Sequence, residues 1–182
     1  MKIILTGTLG AGKGLATEFF ESQGLRKYST GDIARGILAG RGESIERANL
    51  QQLGYDFRCE LILGVLDRLN REGRKNDFVI DCARYPLQIE MVRNVYPESR
   101  LIAVDADEYL RCQRLINRGR AGDPKNKEEF EVQNEMDLCG YLNQRGQDVR
   151  GCLKLVEKVI CNDRTPEEFI QELSGWLESV RC

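Results

Sequence analysis

The chain has no histidine, and its seven cysteines form no CxxC pair. The usual ligand spacings for zinc are therefore missing, and a zinc site is not expected. It has no basic excess either. Lys and Arg total 27 against 29 Asp and Glu, a formal net charge of −2, which argues against general nucleic-acid binding. No apolar run approaches the length of a bilayer span, so no membrane association is expected. No repeat, low-complexity segment or Pro-rich linker divides the 182 residues, a length that suits one domain with a substantial core. The first residues lead directly into an apolar strand pattern, with no secretory leader ahead of it. Together with irregularly spaced cysteines, this gives the expectation of a cytoplasmic protein with reduced thiols.

What the chain does have begins at residue 2. Lys2-Ile3-Ile4-Leu5 reads as a buried strand, and Leu15 to Phe20 reads as the start of a helix. Between them lies Thr6-Gly7-Thr8-Leu9-Gly10-Ala11-Gly12-Lys13-Gly14. Gly7-x-x-x-x-Gly12-Lys13 in a strand–loop–helix context is a phosphate-binding loop, lacking only its final Ser or Thr. Glycines let successive N–H groups turn inward toward an anion, the helix N-terminus adds its dipole, and Lys13 adds a full charge. The loop from Gly7 to Leu15 is thus predicted to hold a nucleoside triphosphate. A ligand-free glycine-rich turn would need lysine and both glycines to fall into register by chance.

Further strand patterns recur at Leu25–Tyr28, Phe78–Cys82, Arg100–Asp105 and Lys158–Cys161, alternating with helical patterns. That alternation implies a parallel sheet with right-handed crossovers. One long amphipathic helix is expected from about Ser44 to Arg71. Leu50, Leu53, Phe57, Leu61 and Val65 form its apolar stripe, and Arg47, Gln51, Gly54 and Arg58 lie on another face. That second face is either a solvated surface or a wall of a substrate cleft. Gly54 favours the cleft, because glycine inside a helix costs about 1 kcal/mol against alanine. Near the C-terminus, Thr165, Pro166 and Glu168 predict a capped helix start. Phe169, Leu173, Trp176, Leu177 and Val180 are its buried stripe.

Charged groups cluster where a parallel sheet delivers them, at the C-terminal ends of strands. Asp81 ends the third strand, where a carboxylate can hold Mg²⁺ through water or cap the next turn. Arg84, three residues later, is placed to clamp a phosphate bidentately. Ser29 or Thr30 can cap a helix whose first turn holds Gly31 and Asp32, and Arg35 lies one turn in, where it can grip a phosphate. Arg111, Arg114, Arg118 and Arg120 close the helix after the fourth strand. Arg114 and Arg118 share a face, where like charges repel unless an anion lies between them. The Gly- and Pro-punctuated stretch 119–127 reads as a mobile loop, suited to a lid over transferring phosphates.

Taken together these motifs resemble the adenylate-kinase-like nucleoside monophosphate kinases. The likeness rests on Gly7 to Gly14, Ser29-Thr30-Gly31-Asp32 with Arg35, Asp81-x-x-Arg84-x-Pro86, Arg114 with Arg118, and Val159-Ile160-Cys161-Asn162-Asp163. It is similar in particular to a dephospho-CoA-kinase-like branch, through Arg47-x-Asn49-Leu50-Gln51-x-Leu53-Gly54 and Arg118-Gly119-Arg120-x-Gly122-Asp123-Pro124. The resemblance implies a P-loop fold with a five-stranded parallel sheet of order 2-3-1-4-5. It also implies a monophosphate-binding helical insertion at about 29–73 and a short lid at about 118–135. It implies transfer of the ATP γ-phosphate to a phosphorylated small molecule, with ATP and Mg²⁺ as cofactors. Lys13, Asp81, Arg84, Arg114 and Arg118 would act in transfer, with Asp81 holding the metal through water. Arg114, Asn162 and residues 7–15 would contact ATP. Thr30, Gly31, Arg35, Arg47, Arg58 and Arg84 would contact the acceptor. The alternatives are a kinase of a hydroxyl group, with Asp81 or Asp32 as base, and an ATP-binding sensor. The chain departs from the pattern at Gly14, which offers no hydroxyl to Mg²⁺, at Leu15, which replaces a threonine, and at Cys82, which replaces a glycine.

Overall fold

The computed structural model describes residues 1–45, 47–72, 77–120, 122–139 and 146–181, and only the backbone at 47, 48 and 51. The elements run β1 (Lys2–Gly7), α1 (Lys13–Ser22), β2 (Arg26–Ser29), α2 (Thr30–Gly40), α3 (Arg47–Asp56), α4 (Arg58–Arg71) and β3 (Phe78–Asp81). They continue with α5 (Pro86–Val95), β4 (Arg100–Asp105), α6 (Glu108–Arg118), α7 (Lys127–Cys139), α8 (Val149–Leu153), β5 (Lys158–Cys161) and α9 (Pro166–Arg181). The strands form one sheet in the order β2-β3-β1-β4-β5, and every pairing is parallel. This is the expected 2-3-1-4-5 topology.

The side-chain alternation of the strands builds both covering layers. Ile3, Leu5, Val79, Ile102, Val104 and Ile160 face α1 and α9, meeting Phe19, Phe20, Phe169, Leu173 and Leu177. Ile4, Ile80, Phe78 and Leu101 face the opposite way, onto Ile62, Val65 and Leu69 of α4 and Ile89 and Val92 of α5. Trp176 packs against the first of these clusters, edge-on to Phe20, which makes it part of the core. Thr165 and Glu168 exchange side-chain-to-amide hydrogen bonds of 3.2 Å each, the expected capping box.

Two sequence expectations need correction, and one gains detail. The long helix over 44–71 is two helices. Phe57, at φ −118° and ψ 28°, breaks the helical ladder between α3 and α4. Leu53 of α3 and Leu61 of α4 both pack with Ala34 and Leu38 of α2. In the stretch 118–135, expected to form a short lid, the chain from Lys127 onward is helical as part of α7. Phe130 of α7 is buried with Leu9, Cys112 and Leu115, so this segment is anchored on the phosphate loop and α6. Finally, β2 spans Arg26–Ser29, one residue later than its hydrophobic pattern indicated.

Candidate functional site

The phosphate loop is shaped by two close approaches. Gly7 adopts φ 141°, and a Cβ there would collide with the carbonyl of Val104 on β4. Gly12 adopts φ 99°, and a Cβ would run into the side-chain amide of Asn162. Only glycine tolerates both the dihedrals and the crowding. Asn162 Nδ2 donates to the Ala11 carbonyl at 2.8 Å, which ties the loop to the end of β5. Thr8 Oγ1 donates to Asp105 at 2.5 Å, which ties it to the end of β4. Gly12 is the N-cap of α1 and no side chain caps it, so the first-turn amides carry the orphan donors and positive dipole end suited to an anion.

Lys13 Nζ lies over the loop and donates to the Gly7 and Thr8 carbonyls at 2.8 and 2.5 Å. Its pKa is lowered to about 8. Burial is the main cause and the positive charge of Arg84 the next, while Cys82, Asp137 and Asp81 act in the opposite direction. These opposing influences show that the loop lysine, the β3 terminus and α7 share one electrostatic neighbourhood.

Beside the loop, a cleft of about 290 Å³ opens between the end of β3, the α2–α3 insertion and the α6–α7 connection. Arg35, Arg84, Arg118 and Arg120 all line it. Of the residues expected to meet an acceptor, Thr30, Gly31, Arg35 and Arg84 are there, as is Asp81. Ser29 caps α2 by accepting from the Asp32 amide at 3.2 Å, and Thr30 Oγ1 donates to the Cys82 carbonyl at 3.0 Å. The start of α2 is thereby fixed to the end of β3. Arg35 is exposed and ion-paired with Asp32. The thiol of Cys82 forms part of the wall; burial pushes its pKa up against the pull of Arg84 and Lys13.

Arg84 has a partner that the sequence did not reveal. Its Nη1 donates to Asp137 Oδ2 at 2.5 Å, and the Asp137 side chain is 1% exposed on α7. Burial, the largest single influence, would lower the Arg84 pKa, but Asp137, Cys82 and Asp81 together outweigh it and raise the value. Asp81 lies 3.6 Å from Lys27 Nζ on the neighbouring strand, an ion pair also missed at the sequence level. Arg118 forms a two-point pair with Asp123, at 2.8 and 2.5 Å.

Other expected residues lie elsewhere. Arg114 does not join Arg118 around a common point. Its Nη2 donates to the Asn162 carbonyl at 2.6 Å, beside the phosphate loop, and its Nη1 is buried without a hydrogen-bond partner. Helical spacing puts the two arginines on one face, but their flexible side chains follow different acceptors. Arg58 does not line the cleft. Its guanidinium stacks 5.1 Å from the Tyr55 ring and 6.0 Å from Tyr85, and Nη1 donates to the Tyr55 carbonyl. The side chains of Arg47 and Gln51 lie outside the described residues. Arg111, from the same arginine-rich helix, is a tether. It is 4% exposed, bonds the Leu9 carbonyl at 3.0 Å and Asn134 at 2.7 Å, and so joins the phosphate loop to α6 and α7.

Residues 6–131 match the family model described as an AAA domain. A UPF0200 protein of Thermococcus sibiricus is 30% identical over 146 residues, which cover 76% of this chain and 77% of the relative. The chain belongs to the UPF0200 family and carries that AAA domain. A UPF0200 protein of Thermococcus gammatolerans extends the likeness to 99% of this chain and 95% of the relative, at 28% identity over 190 residues. Among solved structures, a gluconokinase from Sinorhizobium meliloti 1021 aligns with TM-score 0.60 over 99% of this chain and 95% of its own, at 16% identity. TT1252 from Thermus thermophilus gives TM-score 0.62 over 98% and 97%, also at 16% identity. At that identity the likeness concerns the fold, which is P-loop kinase-like and of a nucleotide-binding type. No helix among the described residues is long and apolar enough to cross a membrane.

Proposed function

We propose that the chain is an ATP-dependent kinase that passes the γ-phosphoryl group to a small phosphorylated acceptor, a nucleoside or deoxynucleoside monophosphate. The observation that supports this reading is the cleft beside the phosphate loop, lined by Arg35, Arg84, Arg118 and Arg120. A triphosphate on the loop and a phosphate among these arginines would put two anions side by side with their mutual repulsion screened. Such positioning and charge stabilisation dominate phosphoryl transfer. Lys13 and the loop amides hold the β- and γ-phosphates. Arg35 and Arg84 hold the acceptor phosphate, and Arg118 and Arg120 meet charge on the transferring group. Arg114, beside Asn162, serves the ATP side of the loop. An acceptor oxygen forms a bond to the γ-phosphorus as the bond to the β–γ bridging oxygen breaks, and ADP leaves with that electron pair. The acceptor phosphate is already an anion, so no general base is needed.

Magnesium enters as part of the Mg–ATP substrate. Asp81 is the carboxylate expected to approach the metal, and Gly14 offers it no hydroxyl. Among the described residues no group of three or more Asp, Glu or Cys could hold a metal alone. This donor set fits a cation carried largely by phosphates and water, with Asp81 orienting its hydration shell. A hydroxyl acceptor is the second reading. It is favoured by the carboxylate of Asp81 on the cleft wall, a candidate base, and by the gluconokinase that shares this fold.

ADP formation from Mg–ATP, followed with ribo- and deoxynucleoside monophosphates, dephospho-CoA and gluconate, distinguishes the readings. A monophosphate should stimulate ADP release, and Lys13→Ala should abolish it while the fold persists. Stimulation by dephospho-CoA or gluconate alone selects the hydroxyl reading. ATP binding with no stimulation by any acceptor defeats both and leaves a nucleotide-binding sensor.

A further inference from the structure

Gln147 carries a polar atom that the fold does not use. It lines the cleft, and its Oε1 is buried without a hydrogen-bond partner. Buried side-chain oxygens are nearly always paired, so such an atom needs a reason. A structural role does not supply one, because the backbone around Gln147 already does the structural work. The Gln147 amide donates to the Met136 carbonyl at 2.8 Å, and the Asp148 amide donates to the Arg84 carbonyl at 3.0 Å. The Tyr85 hydroxyl donates to the Gly146 carbonyl at 2.5 Å, and Asp148 caps α8. Residues 146–148 are thus bonded both to α7 and to the end of β3.

The carboxamide meets α3 at Gly54. A Cβ on Gly54 would lie 3.4 Å from Gln147 Nε2, an ordinary van der Waals contact, so the carboxamide rests close against α3 at this glycine. Leu50 lies one turn earlier on the same helix face and also lines the cleft, as does Leu61. This part of the cleft is therefore apolar wall plus one amide, whereas Arg35, Arg84, Arg118 and Arg120 supply its cationic part. A polyhydroxylated sugar would find too few polar partners along the apolar wall. A flat heterocycle would bury its faces there and present an edge carrying both a donor and an acceptor.

We infer that Gln147 reads the base of the acceptor nucleotide: Oε1 accepts an N–H from the base edge, Nε2 donates to the adjacent ring acceptor, and the ring lies along the apolar wall of Leu50 and Leu61. The inference rests on the kinase reading only for its assignment of the cleft to the acceptor. It adds a residue from the α7–α8 connection to the specificity of the site.

The test is equilibrium binding by calorimetry without ATP, using AMP, GMP, CMP, UMP and ribose 5-phosphate. At least one nucleotide should bind the wild-type protein roughly tenfold or more tightly than ribose 5-phosphate. Gln147→Leu should weaken that nucleotide by roughly 10–100-fold, the usual worth of a buried hydrogen bond whose partner is left unpaired, with ribose 5-phosphate unchanged. The same variant should melt no lower than wild type, since it deletes an unpaired polar group; a structural glutamine would melt lower. Nucleotides that bind no better than ribose 5-phosphate, or a Gln147→Leu variant that binds them as wild type does, overturn the inference. A nucleotide that binds as expected yet fails to stimulate ADP formation defeats the kinase reading and leaves the base-reading role of Gln147 standing.

Discussion

Removing Asp137 gives the sharpest test of how the site is held together. Asp137 is 1% exposed and lies 2.5 Å from Arg84, itself 22% exposed, so the pair is largely out of water. Deleting one member of a buried pair strands the other charge, at a cost of about 3–5 kcal/mol. For a chain of this size, each kcal/mol lowers Tm by about 2–4 °C. Asp137→Ala should therefore melt roughly 6–20 °C below wild type by circular dichroism. Replacing both charges, as in Arg84→Met with Asp137→Leu, leaves nothing stranded and should bring Tm back to within a few degrees of wild type. Acceptor-stimulated ADP release should not return with it, because Arg84 is the group proposed to hold the acceptor phosphate. An Asp137→Ala variant that melts within about 3 °C of wild type would show that the pair is not effectively desolvated. A double variant that regains stability together with full turnover would remove Arg84 from the mechanism.

The lowered pKa of Lys13 sets a pH dependence. With the free-protein value at about 8, ATP affinity should be flat below pH 8 and weaken up to tenfold per pH unit above it, until the higher pKa of the phosphate-bound lysine is reached. By the same linkage, Lys13 binds its proton less tightly folded than unfolded, so its contribution to stability rises as pH climbs from about 8 toward 10.5. The difference in melting between wild type and Lys13→Met across that window should show this slope. Gly12→Ala should cost at least about 1–3 kcal/mol from φ 99° and the clash with Asn162, and calorimetry should show ATP binding lost. Thr165→Ala removes one half of the α9 capping box and should cost about 1 kcal/mol, seen as a drop in Tm with ATP affinity unchanged.

The parallel sheet and the phosphate loop were legible because they rest on local signals, whereas the strand order was expected only from the family resemblance. Strand periodicity, the spacing of Gly7, Gly12 and Lys13, and the start of α9 at Thr165 and Pro166 each lie within a few residues of sequence. Thr30, Gly31, Arg35 and Arg84 line the cleft because they follow strand ends, where a parallel sheet opens toward ligand. The positions of the Arg58, Arg114 and Arg118 side chains were not legible, because each depended on a side chain choosing between acceptors. Arg58 found two tyrosine rings, Arg114 found a carbonyl 48 residues away, and Arg118 found Asp123.

By itself the sequence determined which segments become strands and helices and where an anion can be cradled, since backbone propensity, side-chain periodicity and glycine dihedrals are decided locally. The tertiary structure alone decided which charge meets which. Asp137 and Gln147 lie 53 and 63 residues from Arg84 in the chain and carry no motif. The packing of α7 and the α8 approach against the end of β3 brings the carboxylate onto Arg84 and Gln147 into the same cleft. Electrostatic pairing and cleft chemistry depend on distances through space, and only the folded chain sets those.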